Sequence, residues 1–371
     1  MHPHLGQPDA ARIRERLQRL VAAESPSGYV DGLERCHALL QEWGTPLFGR
    51  PAEIVADQGT PHLLWSATRG PGVLLLCHVD TVWPLGTIDG WPFTVDGHRA
   101  TGPGVFDMKA GIVAALEALA LCADPTAVSL LVTGDEEIGS PTSRTLIEKV
   151  AAGCTAVLVL EPSLDGAVKT ARKGGSIYRV DITGRAAHAG LEPHRGVNAL
   201  IELATQTLTI AGLGDAERET TVTPTVASAG TTTNTVPAAA SLRVDVRAWE
   251  TAELERVHAS MHALTATVTG ASLTVDGAIN RPPLERAGSL DLLTLARRVA
   301  GERGLPDVTE AAVGGASDGN FTAALGIPTL DGLGPLGGGP HARHEWADLT
   351  SLAERSSLVA GMLDALAAAR P

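Results

Sequence analysis

Apolar strand patterns alternate with helical patterns along the first half of this chain, and this alternation limits the possible folds more than any other feature. Buried-strand patterns occur in GVLLLCHV (72–79), AVSLLVTG (127–134) and TAVLVLEP (155–162), and helical patterns separate them. The order strand, helix, strand, helix, strand is typical of a parallel sheet with helices on both faces. The sequence therefore predicts an α/β fold, in which functional residues gather at the carboxyl ends of the strands.

A change of rhythm between Gly174 and about Asn280 predicts a second domain. The patterns there run β-α-β-β-α-β, the order of the split ferredoxin-like unit, with the second helical pattern over TAELERVHASMHALTATV (251–268). A chain of 371 residues is long enough for two domains. We therefore expect an α/β main domain of mostly parallel sheet, interrupted by an inserted ferredoxin-like α+β domain. The predicted boundaries are 1–173 and 281–371 for the main domain, and 174–280 for the insert.

Charge and hydropathy exclude two classes of partner. The formal net charge is −13, from 42 acidic and 29 basic residues, whereas nucleic acids and anionic membranes require a cationic face. No stretch approaches 18 uninterrupted apolar residues, so no membrane span is predicted. The first twenty residues, MHPHLGQPDAARIRERLQRL, have the pattern of a polar lead into an amphipathic helix rather than of a signal peptide.

The cysteines favour a reducing compartment. They are scattered, with no C-x-x-C spacing, and they are Cys36, Cys77, Cys122 and Cys154. This pattern indicates reduced thiols in a cytoplasmic protein. Cys77 is an alternative metal ligand because it precedes His78, but strand alternation turns neighbouring side chains to opposite faces.

Polar side chains follow three of the predicted strands. His78 and Asp80 follow the first strand, Glu136 and Glu137 follow the second, and Glu161 follows the third. Taken singly, a strand-end Asp is usually a cap or turn residue, and a Glu-Glu pair is usually a solvated surface. Their shared position at strand ends is what makes them candidates for one site.

Two further segments contribute candidates of the same chemistry. Asp107 lies in the glycine-rich turn GPGVFDMKAG (102–111), and His341 and His344 lie in GGGPHARHEWADL (337–349). If these segments converge, the carboxylates would be tolerated only with cations. Imidazole and carboxylate ligands without thiolate suit zinc, or alternatively manganese or cobalt. Two ions about 3.5 Å apart, sharing one carboxylate, would use all the ligands.

Seven segments together resemble one enzyme family. They occur in the order HVDTV, GPGVFDMKAG, TGDEEIGS, LEPS, GRAAHAG, NTVP and GPHARHEW. This set closely resembles the co-catalytic di-zinc peptidases and deacylases typified by glutamate carboxypeptidase, acetylornithine deacetylase, succinyl-diaminopimelate desuccinylase and aminoacylase. The resemblance covers nearly the whole chain. It implies that the main domain is catalytic and that the insert is a lid or dimerisation domain.

The resemblance implies a role for each candidate in the main domain. It assigns two zinc ions per chain, with cobalt or manganese as substitutes, to the ligands His78, Asp107, Glu137, Glu161 and His341. Asp107 would bridge the ions, Asp80 would orient the imidazole of His78, and Glu136 would be the general base. In the family the ligand histidine precedes a Glu by four positions, which selects His341 because Glu345 follows it. His344 then corresponds to a surface histidine at a helix start.

The resemblance also assigns residues of the insert. His188 would stabilise the oxyanion of the tetrahedral intermediate, in dimeric relatives from the partner subunit. Asn234 would contact the substrate. The alternatives are a capping or surface histidine and a turn-forming asparagine. An exposed edge strand or helix pair in the insert further predicts a homodimer.

A substrate carboxylate needs a cationic anchor, and arginine suits a planar bidentate grip. Arg281, at the return from the insert, is the first candidate and Arg247 is the second. Arg247 has an equally good alternative as the ion-pair partner of Asp245 or Glu250. Ser317, in the glycine-rich loop GGASDGN (314–320), is a further candidate for the same carboxylate.

These observations predict a metal-dependent hydrolase that cleaves an amide or peptide bond next to a free carboxylate. The substrate would be a short peptide, an N-acyl amino acid or a glutamate conjugate. HVDTVWPLG, GPGVFDMKAG and NRPP favour the glutamate carboxypeptidase-like branch. Three alternatives stay open: an N-acyl amino acid deacylase, a dipeptidase or aminopeptidase, and a non-catalytic metal-binding relative.

Overall fold

A computed structural model of the protein describes residues 8–369. These residues form two compact units. Unit 1 contains the described residues up to Ala171, Glu285–Val313 and the described residues from Ser317 onward. Unit 2 contains Arg172–Leu284 and Gly314–Ala316. Residues 1–7, where the predicted polar lead begins, lie outside the described residues.

The α-helices, in chain order, are α1 (Ala10–Ala22), α2 (Val30–Phe48), α3 (Thr87–Gly90), α4 (Ala110–Leu121), α5 (Arg144–Ala151), α6 (Ala199–Ala211), α7 (Thr251–His262), α8 (Leu290–Arg303), α9 (Gly319–Ala324) and α10 (Leu349–Ala368). The strands are β1 (Glu53–Asp57), β2 (Thr60–Trp65), β3 (Gly72–His78), β4 (Thr94–Asp96), β5 (Arg99–Thr101), β6 (Val128–Thr133), β7 (Cys154–Val159), β8 (Val168–Arg172), β9 (Gly174–Thr183), β10 (Thr221–Ala229), β11 (Ala239–Ala248), β12 (Ser272–Arg281), β13 (Glu310–Val313), β14 (Thr329–Leu330), β15 (Gly337–Gly338) and β16 (Trp346–Asp348).

The central sheet of unit 1 has the strand order β1-β2-β6-β3-β7-β14. Strands β6, β3, β7 and β14 run parallel to one another, while β1 and β2 add antiparallel strands at one edge. Strand β3 lies between β6 and β7, with Cys77 opposite Val132 and Leu76 opposite Val159. This topology confirms the predicted α/β fold with a mostly parallel sheet.

Strand β3 is buried along its whole length because both faces of the sheet are covered. Val73, Leu75 and Cys77 belong to one hydrophobic cluster, which includes most of α4. The alternate residues Leu74 and Leu76 belong to a second cluster on the opposite face. A strand with both faces buried has the continuous apolar pattern that the sequence shows.

Two short strands hold the loops around the carboxyl ends of the central strands. Strand β16 pairs antiparallel with β5, and Trp346 lies opposite Thr101. The segment that follows β5 contains Asp107, and the segment that precedes β16 contains His341. The pairing therefore brings two distant candidate segments to the same place.

Unit 2 has the chain order β9-α6-β10-β11-α7-β12, and its antiparallel sheet has the strand order β10-β11-β9-β12. This is the split ferredoxin-like arrangement. Alternate residues of β9, including Tyr178, Val180 and Ile182, are buried in a core that also contains Leu254 and Met261 of α7. From Ile177 onward, the other face of β9 is exposed or half-buried.

Helix α7 is shorter than the sequence pattern predicted. It ends at His262, whereas the helical pattern ran to 268. The carboxylate of Glu202 on α6 accepts hydrogen bonds from the backbone N–H groups of Thr267 and Val268, at 3.0 and 2.6 Å. Those donors are therefore taken by a side chain distant in sequence, and the segment leaves the helix.

Among the described residues, no helix is both long enough and apolar enough to cross a bilayer. The cysteines are free, with Cys36 and Cys77 buried and Cys122 and Cys154 partly buried. Burial raises the pKa of the Cys77 thiol, which disfavours the thiolate that a metal would require.

Candidate metal centre

The candidate ligands converge because three parallel strands end side by side. Strand β3 leads into His78 and Asp80, β6 leads into Glu136 and Glu137, and β7 leads into Glu161. Since β3 lies between β6 and β7, these side chains meet at one edge of the sheet. The sequence pattern predicts the strand ends, and the strand order of the sheet brings them together.

One half of the centre surrounds His78, whose ring is almost fully buried. Its Nε2 atom lies 3.2 Å from Oδ1 of Asp107 and 3.3 Å from Oε1 of Glu161. Its Nδ1 atom lies 3.0 Å from the main-chain oxygen of Asp80 and 3.5 Å from the Asp80 carboxylate. The backbone carbonyl of Asp80, more than its side chain, therefore fixes the Nδ1–H tautomer that leaves Nε2 free for a ligand.

The other half surrounds His341. Its Nε2 atom lies 3.1 Å from Oε2 of Glu137 and 3.4 Å from Oδ2 of Asp107. The backbone of His341 has a φ of 60°, in the left-handed region that non-glycine residues rarely adopt. The two carboxylate oxygens of Asp107 thus face two different imidazoles, as a bridging ligand would. His344 is exposed and stands outside these contacts.

Asp80 organises the segment after β6. Its carboxylate is fully buried and accepts hydrogen bonds from the backbone N–H groups of Glu136 and Glu137, at 3.1 and 3.2 Å. The hydroxyl of Ser27 donates a third hydrogen bond at 2.7 Å. No pattern in the sequence indicated Ser27, because it lies about fifty residues from Asp80.

Glu345 organises the segment after β5. This fully buried carboxylate accepts hydrogen bonds from the indole of Trp83 and from the backbone N–H groups of Gly104, Phe106 and Asp107. In the sequence Glu345 had served only to identify His341 by spacing. That spacing was the available signal that Glu345 matters. Its hydrogen-bond partners could not be predicted, because they lie about 240 residues away in the sequence.

The surrounding carboxylates draw protons onto both imidazoles. Burial by itself lowers the pKa of His78, but hydrogen bonds to three carboxylates hold that pKa well above its ordinary value. Hydrogen bonds to Asp107 and Glu137 raise the pKa of His341 to about 10. Burial raises the pKa of Glu137. A pocket that attracts protons in this way also attracts a divalent cation, which replaces them.

The pocket fits such a cation. Within the described residues, the Oε1 atom of Glu137 is buried and has no hydrogen-bond partner. Ligand atoms of His78, Asp107 and Glu137 all lie within 4.8 Å of one another, as do those of His78, Glu136 and Glu161. Nitrogen and carboxylate oxygen donors suit zinc, cobalt or manganese.

Two candidates of unit 2 lie together within that unit. His188 and Thr235 form a β-bridge, and the backbone N–H of Ala189 donates to the carbonyl of Asn234 at 2.9 Å. The Nδ1 atom of His188 accepts hydrogen bonds from the backbone N–H groups of Gly190 and Leu191, both at 3.1 Å. The proton of the neutral ring is therefore on Nε2, and this exposed edge can donate a hydrogen bond.

The two candidate arginines of unit 2 differ in their surroundings. Arg247 makes a bidentate ion pair with Asp245, at 3.0 and 2.9 Å, which is the alternative role considered for it. Arg281 is buried at the end of β12, opposite Gly175.

Ser317, in unit 1, is fully buried. Its hydroxyl donates to Asp331 at 2.6 Å and accepts from the N–H of Gly319, while its own N–H donates to Asn320. The polar groups of Ser317 therefore hold its own loop in the described conformation.

Comparison with known proteins gives a consistent family. The model of peptidase family M20/M25/M40 matches residues 74–365. Carboxypeptidase G2 of Pseudomonas sp. (strain RS-16) is 31% identical over 374 residues, covering 96% of this chain and 90% of that protein. A succinyl-diaminopimelate desuccinylase of Burkholderia ambifaria is 30% identical over 349 residues, covering 85% and 89%.

Solved structures share the fold. Aminopeptidase PepT from Bacillus cereus superposes with a TM-score of 0.76 at 22% identity, covering 98% of this chain and all of that one. The metallo-carboxypeptidase Sso-CP2 from Sulfolobus solfataricus gives a TM-score of 0.68 at 18% identity, covering 96% and 98%.

Proposed function

The chain belongs to peptidase family M20/M25/M40 and is a hydrolytic enzyme, and from that premise we propose that it cleaves an amide or peptide bond next to a free carboxylate. The substrate class is short peptides, N-acyl amino acids or glutamate conjugates. The proposed cofactor is a pair of zinc ions, for which cobalt or manganese could substitute. The similarity to carboxypeptidase G2 along most of both chains supports this branch of the family.

One observation carries the proposal: Asp107 presents one oxygen to His78 and the other to His341. Glu161 completes the set around His78, and Glu137 completes the set around His341. Each half therefore has an imidazole, its own carboxylate and a share of Asp107. When bound, two divalent ions in such a site act as Lewis acids that polarise a carbonyl and lower the pKa of a water molecule.

Glu136 is the proposed general base. It takes a proton from the attacking water and delivers that proton to the leaving nitrogen when the C–N bond breaks. Its ligand atom lies within 4.8 Å of those of His78 and Glu161, so it reaches the reacting region. The backbone N–H of Glu136 donates a hydrogen bond to Asp80, which fixes the position from which the Glu136 side chain extends.

His188 is the proposed oxyanion donor. Because its Nδ1 already accepts two backbone hydrogen bonds, its Nε2–H is the group available to an oxyanion. Asn234, whose segment pairs with that of His188, is proposed to contact the substrate. Arg281, at the end of β12 where the chain returns from the insert, is the first candidate anchor for the substrate carboxylate, and Arg247, which is ion-paired with Asp245, is the second. Ser317 would contribute to substrate binding only after its loop rearranged.

The substitution Glu136→Ala tests the mechanism. It should reduce turnover by about 100- to 10,000-fold, the usual contribution of a general base. The variant should still bind two ions per chain, as measured by metal analysis after gel filtration. Activity at the wild-type level in this variant would show that another group is the base.

The nearest alternative is an N-acyl amino acid deacylase, favoured by the similarity to succinyl-diaminopimelate desuccinylase. A dipeptidase or aminopeptidase of the same family is the other. One dipeptide sequence prepared in N-acetylated, N-free and C-amidated forms separates these activities. A carboxypeptidase loses activity on the amide, whereas an aminopeptidase loses it on the N-acetylated form. Failure on all three forms, with hydrolysis of simple acyl amino acids, identifies the deacylase.

A homodimer through unit 2 is also proposed. Strand β10 is an edge strand, and exposed apolar side chains occur on it and on α6, including Val226 at 59% and Leu208 at 77% exposure. Such an edge invites pairing with a second copy. Light scattering after gel filtration should give twice the chain mass, and Leu208→Glu should lower it.

A cytoplasmic location is supported by the four free cysteines.

A further inference from the structure

Glu345 holds together the two segments that carry opposite sides of the candidate metal centre. Its Oε1 atom accepts from the N–H groups of Phe106 and Asp107, at 2.8 and 3.0 Å. Its Oε2 atom accepts from the N–H of Gly104 and the indole N–H of Trp83, at 3.1 and 2.9 Å. Three of the four donors therefore belong to the backbone that leads into Asp107.

The same residue belongs to the segment that carries His341. Its own N–H donates to the carbonyl of Ala342 at 2.9 Å, which closes a turn directly after His341. One buried side chain thus joins the backbone of the shared ligand Asp107 to the turn that presents His341.

We propose that Glu345 is the positioning residue of the metal centre, and that it sets the separation between Asp107 and His341 at which ions are bound. This inference rests on the proposed function of the site as a metal centre. Glu345 itself acts through Asp107 and His341, because its two oxygens are filled by donors from the protein.

Four N–H donors require a group that only accepts hydrogen bonds. A carboxylate offers two oxygens with lone pairs for all four donors, whereas a carboxamide offers one oxygen and one NH₂ group. In Glu345→Gln, either orientation of the amide therefore directs its NH₂ at two N–H donors. The side chain keeps its shape, but at least part of the Asp107 segment must move.

A general loss of stability is the competing explanation, and Glu117 provides the matched control. This residue is also a fully buried carboxylate of unit 1, and it accepts hydrogen bonds from Arg12 and Arg16. Both arginines lie on α1, outside the metal centre. Glu117→Gln should therefore lower the melting temperature without changing metal binding.

The test is titration of the metal-free full-length chain with Co²⁺, followed by calorimetry and by visible absorption. We expect two ions per wild-type chain, affinity about 10- to 100-fold weaker in Glu345→Gln, and wild-type affinity in Glu117→Gln. The absorption bands of bound Co²⁺ should also change in Glu345→Gln, because the ligand geometry changes. Wild-type affinity and absorption in Glu345→Gln would overturn the proposal.

Trp83→Phe keeps the test decisive if Glu345→Gln does not fold. This variant removes one of the four donors and leaves the carboxylate in place, so Co²⁺ affinity should fall about fivefold. Unchanged affinity in a folded Trp83→Phe would then refute the positioning role. A wild-type chain that binds no Co²⁺ would instead refute the proposed function itself, which separates the two failures.

Discussion

Buried carboxylates occur in both units, but their surroundings differ. In unit 2, Glu202 accepts hydrogen bonds from two backbone N–H groups, the hydroxyl of Thr267 and the amide of Gln206. In unit 1, Asp107 and Glu137 instead face each other and two imidazoles, and within the described residues Oε1 of Glu137 has no hydrogen-bond partner. The first arrangement is complete by itself, whereas the second has an excess of acceptors. This difference separates the structural carboxylate Glu202 from the proposed metal ligands.

The largest expected effect comes from the shared ligand of unit 1. Asp107→Asn should abolish zinc binding, because both halves of the centre lose their common carboxylate. In the wild type, zinc at about a thousand times its Kd should add about 4 kcal/mol per bound ion to the free energy of unfolding. Denaturation with and without zinc should show this gain in the wild type and none in Asp107→Asn. An equal gain in both proteins would place the ions elsewhere.

Removal of the carboxylate of Glu202 in unit 2 should have the opposite effect, lowering stability without changing zinc binding. Glu202→Ala leaves the N–H groups of Thr267 and Val268 without their acceptor, at a cost of about 4 kcal/mol in the free energy of unfolding. Zinc affinity should stay at the wild-type value. Urea denaturation followed by circular dichroism measures the first quantity, and calorimetry measures the second. A loss of zinc affinity would contradict the division between structural and metal-binding carboxylates.

The buried imidazole of His37 allows a similar comparison, because it lies outside the metal centre. Burial, with a smaller contribution from His62, lowers the pKa of His37 to about 4, and within the described residues neither ring nitrogen has a hydrogen-bond partner. The pKa in the folded state lies below the unfolded value of about 6.5, so the neutral ring stabilises the fold at neutral pH.

The contribution of the neutral His37 ring to the free energy of unfolding should be complete above pH 6.5 and be lost as the pH falls through about 4. The total is about 3 kcal/mol, given the separation of the two pKa values. His37→Phe should remove that part of the pH dependence when unfolding is measured by urea denaturation between pH 7 and pH 4. The same slope in the variant would assign the acid sensitivity to other groups.

The smallest effect is expected for an exposed pair. Arg298 and Glu302 lie one helical turn apart on α8, at 2.8 Å, and both side chains are more than half exposed. Arg298→Ala should cost about 0.3–0.5 kcal/mol, because solvent and salt screen the interaction. Thermal denaturation at low and high salt should show this difference shrinking as salt is added. A cost above 1 kcal/mol would mean that exposed carboxylates matter as much as buried ones here.

Much of the fold and of the candidate site followed from local patterns. The buried strands β3, β6 and β7 were visible as apolar runs, and the polar residues after them marked the sheet edge where they meet. The order β-α-β-β-α-β in unit 2 was visible for the same reason, since alternation and helical periodicity are properties of neighbouring residues. The sequence pattern predicts a helix α7 that is too long, because the backbone N–H groups of its predicted last turn donate to Glu202, which lies on another helix.

Residues that form hydrogen bonds with a distant segment left no local signal. Ser27 donates to Asp80, and Arg172 donates to the carbonyls of Gly315 and Ala316, which joins Gly314–Ala316 to unit 2. The carboxylate of Asp80, which the resemblance assigns to orienting His78, also holds the backbone of Glu136 and Glu137. In each case the partner is separated by more than fifty residues.

The amino-acid sequence by itself identified candidate metal ligands after three strands, because apolar periodicity indicates where strands end and which residues follow them. It also predicted the order β-α-β-β-α-β of unit 2 and the buried parallel strands of unit 1. The tertiary structure alone decided which carboxylates are already satisfied and which are not, because hydrogen bonds between distant segments form only when the chain is folded. That balance of donors and acceptors, rather than the identity of the residues, is what separates Glu202 and Glu345 from Asp107 and Glu137.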